Sequence, residues 1–235
     1  EETWRKSIAI HHGMVQLMDE EIGKIIAYLK AEDLYDNTLI IFTTDHGDYI
    51  GNHGFRGKGF PAYEEVYNIP FIVKNQNQKN QGKRSSALLG TLDISPTLLE
   101  MAGIEVPSAM EGISQKALFE GSSGRVRSAF IIENRAVERG FYQKMIVSDR
   151  YKAVYYYGQS YGELYDLSRD RDQYHNLWDD PAYDGLKRDM LYQLYEKNVS
   201  QEPKHGVQYD IPELLLMLDR QIDGEGPVQK RTSFS

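Results

Sequence analysis

Asp45 and His46 stand where an apolar run, Leu39–Phe42, gives way to a glycine-rich loop. The text runs Thr43-Thr-Asp-His-Gly-Asp-Tyr-Ile-Gly-Asn-His-Gly54, and Lys58 follows between Gly57 and Gly59, twelve residues beyond His46. A carboxylate beside an imidazole suits a divalent metal, and further carboxylates in the set would favour Ca²⁺, Mg²⁺ or Mn²⁺. Adjacent side chains on an extended segment point apart, so both reach one ion only if the backbone bends, as Gly47 permits. Two ligands are too few, and the others must come from elsewhere. The alternative is an Asp and a His that merely cap the loop.

A lysine ammonium is a compact charge, suited to steadying a sulfate or phosphate oxygen as charge develops on it. The glycines on either side of Lys58 leave it unshielded; the alternative is an exposed loop lysine. His53 could contact a substrate or donate a proton, or simply bond within its loop. His11 and His12 sit on a long helical pattern, one read as packed and one as exposed, and neither is assigned to a site. Glu64 and Glu65 read as the first turn of a short helix, where acids suit the dipole; the alternative, a catalytic carboxylate pair, is disfavoured because adjacent side chains diverge on a helix. Arg169 and Arg171 read as a solvated, internally paired turn. The sequence contains no Ser-His-Asp pattern, P-loop or dinucleotide fingerprint.

The elements that must position these residues are legible as periodicities. Trp4, Ile8, His11, Val15, Met18, Ile22, Ile25 and Leu29 recur at helical spacing and predict a long amphipathic helix to about Lys30. Leu39–Phe42 and Ile69–Lys74 read as strands covered on both faces, with ligands expected at the carboxyl end of the first. A polar, solvated loop is expected over 75–86. Thr91–Met101 reads as a helix capped by Ser95, with Pro96 at its first position and Gly103 ending it. Beyond Gly121–Gly124, Ala129–Glu133, Gln143–Ser148, Tyr151–Tyr157 and Glu163–Asp166 read as an antiparallel meander. A closing helix is expected over Pro181–Asn198, with Leu186, Met190, Leu194 and Tyr195 on one face, then an irregular stretch with one short helix at 214–218.

The bulk numbers narrow the function classes. With 27 Lys plus Arg against 35 Asp plus Glu, the net charge of −8 argues against a nucleic-acid partner. The absence of cysteine removes disulfide and thiolate-metal frameworks. No apolar stretch reaches the length of a membrane span. The 17 tyrosines, dense between Tyr142 and Tyr195, fit strands and helix surfaces with polar tips.

Taken in order, these segments resemble the C-terminal half of a type I sulfatase of the alkaline-phosphatase-like superfamily. The carrying matches are Met18–Gly23, Asp36–Gly47, Gly51–Gly54 with Lys58, Tyr63–Glu65 with Ile69–Val73, Thr91–Leu99, and Glu163–Leu167 with Asn176-Leu177. The resemblance implies an α/β fold: the C-terminal part of the sulfatase core over 1–124, an antiparallel β subdomain with a closing helix over 125–200, and a tail over 201–235. It implies that Asp45 and His46 are metal ligands, calcium first and Mg²⁺ or Mn²⁺ as alternatives, and that Lys58 binds the sulfate, with His53 in a less settled catalytic role. The implied reaction is hydrolysis of a sulfate ester by a formylglycine nucleophile, on a sulfated small molecule or glycan.

Formylglycine arises from a Cys or Ser in a C-x-P-x-R-type motif, and this sequence has none; Ser95-Pro96 lacks the pattern. The nucleophile and the remaining metal carboxylates are therefore expected in an N-terminal half outside this chain, and the chain alone is expected to be inactive. The alternatives are a phosphonate or phosphodiester hydrolase of the same superfamily, or a noncatalytic carbohydrate-binding derivative of a sulfatase.

Overall fold

A computed structural model describes residues 2–59, 61–76, 82–122, 124–136 and 141–201. The chain divides into two compact units, Glu1–Lys197 and Asn198–Ser235. The helix expected at 214–218 lies outside the described residues.

Helix α1 (Glu2–Ala31) realises the long helical pattern, and Lys30 in its last turn suits the negative end of the dipole. It stops where Asp33 turns left-handed (φ 56°), while the Leu34 and Tyr35 N–H groups both return to the Leu29 carbonyl at 2.8 and 3.0 Å. None of its residues is buried. Ile8, His11, Ile22 and Leu29 are half-covered, whereas Val15, Met18 and Ile25 are exposed, as is His12. Near its start, Trp4 lies over Gly51, where an added Cβ would sit 3.4 Å from the indole.

Strand β1 (Ile40–Thr43) pairs antiparallel with a second strand, Phe71–Lys74, in the register Ile40↔Lys74 to Thr43↔Phe71. Between them in sequence come a small ribbon, β2 (Tyr49–Ile50) and β3 (Arg56–Gly57), and the one-turn helix α2 (Glu64–Tyr67). Phe71–Lys74 is thus β4. The expectation that β1 and β4 are covered on both faces needs correction. Phe42 and its register partner Ile72 are 39% and 62% exposed, so one face of this pair has no cover among the described residues. A continuous apolar run states that both faces are apolar; it does not supply what covers them.

Asn75 departs from the expected solvated loop: it is buried and its amide donates to the Phe119 carbonyl. Residues 82–86 are exposed as expected. Helix α3 (Ile94–Met101) begins two residues earlier than a cap at Ser95 implies, from a 3-10 turn over Thr91–Asp93. The buried Asp93 carboxylate accepts from the backbone N–H of Gly90 (3.0 Å) and Ile113 (2.8 Å) and bidentately from Arg127, so it sets the helix start. Pro96 is tolerated because its missing N–H falls in the first turn. Gly103 (φ 72°) ends the helix as expected. Helix α4 (Lys116–Phe119) follows.

The meander forms in full: β5 (Ala129–Ala136), β6 (Phe141–Ser148), β7 (Tyr151–Tyr156) and β8 (Gly162–Asp166) make one sheet in sequence order. Period-2 alternation gives it two faces. On one face Ala129, Ile146, Ala153 and Leu164 pack with Trp178 and with Met190 and Leu194 of α5 (Asp184–Gln201). Tyr195 falls off that face and is 64% exposed, unlike the expectation. Gly162 has no side chain because the Trp178 ring occupies its space, 2.5 Å from where a Cβ would stand. On the other face Met145, Val154 and Tyr156 pack with Ala62 and partly with Tyr67, which brings the residues around α2 onto the sheet.

Candidate active site

Strand β1 ends at Thr43, and Thr44, Asp45 and His46 turn at its carboxyl end. The backbone bends at Asp45 and not, as expected, at Gly47; what requires glycine at 47 is packing. The Gly47 N–H donates to the Val66 carbonyl at 2.9 Å, and any Cβ at Gly47 would collide with the Glu65 carbonyl oxygen. The loop is therefore docked on α2 at one residue beyond His46.

That bend brings three of the four candidates together. Asp45 Oδ1 accepts from the His46 N–H (2.9 Å) and the Thr44 hydroxyl (3.2 Å), and these bonds hold its carboxyl below the ordinary carboxylate range. His46 Nδ1 lies 2.9 Å from the Gly47 carbonyl oxygen, to which it can only donate. Its Nε2 is then the ring acceptor, and Lys58 Nζ donates to it at 2.9 Å. Asp45 Oδ2 lies 3.5 Å from the same Nε2. The Asp45 carboxylate is 81% exposed, and Lys58 is exposed between left-handed Gly57 (φ 76°) and Gly59 (φ 153°).

His53 goes elsewhere. It is left-handed (φ 52°), its side chain is 8% exposed, and its ring stacks on Tyr63 at 3.7 Å with Tyr174 at 4.6 Å. Its Nε2 has no hydrogen-bond partner among the described residues, and Glu65 Oε1 lies 4.0 Å away. No hydrogen bond or ring contact joins it to the other three candidates among those residues.

Glu64 and Glu65 diverge as expected of neighbours on a helix. Glu65 turns toward His53, while Glu64 accepts from Lys152 of β7 at 2.8 Å. Lys152 has no exposed side-chain surface. Burial pushes its ammonium below the usual lysine range, opposed by the charge and hydrogen bond of Glu64. Sequence reasoning missed Lys152, as well as Gln173 and Tyr174, whose loop reaches over α2 and His53. In sequence they are a strand lysine and two loop residues, and only the fold places them beside the site. Arg169 and Arg171 stay at the solvent side as expected, Arg169 3.9 Å from Asp166.

A carboxylate and an imidazole nitrogen suit a divalent cation, but two donors fall far short of the roughly six to eight that calcium takes. No group of three or more His, Asp or Glu able to hold a metal occurs among the described residues. Lys58 also occupies the Nε2 donor position. The described residues of this chain do not fit a resident metal on their own. Asp45 and His46 also line an open groove of about 1750 Å³ whose walls include Phe71, Val73, Phe119 and Phe130. Small-molecule pockets run to about 300–1,000 Å³, so the groove is larger than such a pocket, and its walls mix these apolar side chains with polar ones such as Lys74, Arg84 and Glu133.

The family described as "N-sulphoglucosamine sulphohydrolase, C-terminal" matches residues 51–200, more than half of the chain. The chain belongs to the sulfatases. It is a C-terminal part of a sulfatase of the alkaline-phosphatase-like superfamily, with the α/β architecture that implies. It is 30% identical over 188 residues to a Delta 4,5-hexuronate-2-O-sulfatase of Bacteroides thetaiotaomicron, covering 78% of this chain and 39% of that protein. It is 30% identical over 198 residues to an N-acetylglucosamine-6-O-sulfatase of the same organism, covering 80% of this chain and 34% of that one. A solved structure in complex with its substrate D-glucosamine-2-N,6-O-disulfate superposes with a TM-score of 0.75 at 27% identity, covering 83% of this chain and 41% of that chain. A phosphonate monoester hydrolase of Agrobacterium radiobacter superposes with a TM-score of 0.73 at 27% identity, covering 82% and 41%. This sulfatase chain thus spans well under half the length of the relatives it matches. Among its described residues no helix is long and apolar enough to cross a membrane.

Proposed function

We propose that this chain is the C-terminal part of an enzyme that hydrolyses sulfate esters of sulfated sugars, completed by an N-terminal part that carries the formylglycine nucleophile and the remaining metal carboxylates. The observation that carries this reading is the convergence of His46 and Lys58, 2.9 Å apart, with Lys58 inside the matched residues 51–200 and His46 just ahead of them. The choice of a sugar ester is supported by the two Bacteroides relatives and by the disulfated glucosamine bound to the structural neighbour.

In this reading Asp45 and His46 are two ligands of a divalent cation, calcium before magnesium or manganese. That cation, when bound, would supply positive charge beside the sulfuryl oxygens. Lys58 holds the sulfate group as a point charge, exposed between two glycines that let backbone approach the ligand. In the neutral His46 ring, the bond from Nδ1 to the Gly47 carbonyl leaves the Nε2 lone pair as the ligand atom. His53, buried in its stack, would act on the loop's shape and not on the leaving group.

A second reading, a phosphonate or phosphodiester hydrolase, is favoured by the Agrobacterium neighbour and by 32% identity over 205 residues to a multifunctional alkaline phosphatase superfamily protein of Trinickia caryophylli. One experiment separates the two readings. The longer protein that contains this chain is assayed on a sulfated glucosamine and on a phosphonate monoester, with and without a chelator. Chelator-sensitive turnover of the sulfate ester is expected, with the phosphonate slower. Asp45→Ala is expected to abolish it, and Lys58→Ala to lower kcat by about 10²–10³-fold, as for loss of one charge-stabilising group. Full activity in Asp45→Ala would sink the metal assignment. This chain alone is expected to show no turnover and no tight calcium isotherm.

A further inference from the structure

Lys152 is a charge placed where an apolar residue would serve packing better. It lies on the sheet face that Met145, Val154 and Tyr156 make with Ala62, with no exposed side-chain surface. A buried ion pair seldom adds net stability over apolar residues of similar volume, whereas its directionality can fix one geometry. The partner of this pair is well placed for that. Glu64 takes the Lys152 ammonium at 2.8 Å, and its own N–H donates to Gln173 Oε1 at 2.8 Å. Gln173 is itself buried and left-handed (φ 56°). Tyr67, at the other end of the same turn, has the Lys152 ammonium 5.5 Å from its ring centre and accepts on its hydroxyl from Asn134 (3.0 Å) and Gln143 (3.1 Å). The single turn of α2 is therefore held at both ends by side chains of the sheet and of the loop after β8. Its middle presents the two carbonyls on which Gly47 docks.

We propose that Lys152 is a positioning residue for the Asp45–His46–Lys58 loop: it fixes Glu64, and through α2 it fixes the seat of Gly47. The geometric claim stands on these contacts; its bearing on catalysis rests on the sulfatase reading above. The pair links the antiparallel sheet to α2, on which the site loop docks, across 88 residues of sequence.

The test uses this chain and the paired variant Lys152→Met/Glu64→Leu, which removes both charges and leaves none buried alone. Amide hydrogen exchange reads Gly47 and the strands β5–β8, and the ¹⁵N signal of His46 Nε2 is recorded with and without Lys58→Gln. The expected result is that the strands keep their protection while Gly47 exchanges at least about tenfold faster, a local opening separate from global unfolding. The His46 signal is expected to respond to Lys58→Gln in the parent chain, where Lys58 contacts Nε2, and to lose that response in the paired variant. Unchanged Gly47 exchange and an unchanged His46 response in an intact sheet would overturn the proposal. So would loss of strand protection, which would make the pair a folding element alone. In the longer protein the paired variant is expected to lower kcat more than it raises KM. If that protein hydrolyses no sulfate ester while Gly47 still loosens, the functional reading fails and the positioning role stands.

Discussion

Asp166, the last residue of β8, receives the Nε and Nη2 of Arg150 and both the N–H and the hydroxyl of Ser168. The Arg150 bonds, before those of Ser168, hold its carboxyl well below the usual carboxylate range. A carboxylate whose folded pKa is depressed adds stability that is complete above its unfolded value of about 4. That stability is withdrawn as pH falls toward the folded value. Arg150→Met is therefore expected to raise the Asp166 pKa, read by carboxyl ¹³C NMR, and to move the acid-unfolding midpoint to higher pH; an unmoved midpoint would remove Asp166 from the acid response. At this scale the sequence spoke clearly only about near neighbours. Asp45, His46 and Lys58 were legible because one bent loop of local residues brings them together. Lys152 was not, because an alternating strand pattern assigns a face but cannot say that Glu64 will meet it there. His53 shows the converse: its place in a glycine-rich loop suggested a site residue, and two tyrosines from separate segments took its ring into a stack.

Elements follow the same division between local and distant causes. The four strands of the meander fall within a residue or two of their hydrophobic runs, except that β5 extends further, because short turns pair each strand with the next. The α3 start differs from the Ser95 cap because Asp93, besides its local bond from Gly90, gains partners from Ile113 and Arg127, which no local cap rule includes. The closing helix α5 is held chiefly by what it buries, since its face meets the sheet at Leu164 with Met190 and Leu194. Leu164 is fully buried, so Leu164→Ala is expected to cost about 2–5 kcal/mol in urea unfolding through lost burial and the cavity left behind. A change within error would mean that α5 does not seat on that face in solution.

The molecule as a whole is covered unevenly. The antiparallel sheet has a layer on each face, while α1 and the β1–β4 pair leave large apolar side chains in the open, among them Ile10 (64%), Ile25 (60%) and Ile72 (62%). Apolar surface that large, where contiguous, is what marks an interaction face. An environment-sensitive dye is accordingly expected to bind this chain at neutral pH and to be excluded by the longer protein; absence of binding to the chain would show that these faces close on themselves. The apolar runs show which residues want cover; they do not say what supplies it.

The chain's two tryptophans happen to sit on opposite sides of the Lys152–Glu64 link. Trp4 lies over Gly51, in the loop that leads to Lys58, and Trp178 is sunk against Gly162 in the sheet. Replacing either by Phe leaves a single tryptophan, which can be excited apart from the 17 tyrosines. Emission from the first would follow the seating of the site loop, and emission from the second the integrity of the subdomain, so the coupling between them can be watched optically in the unlabelled protein.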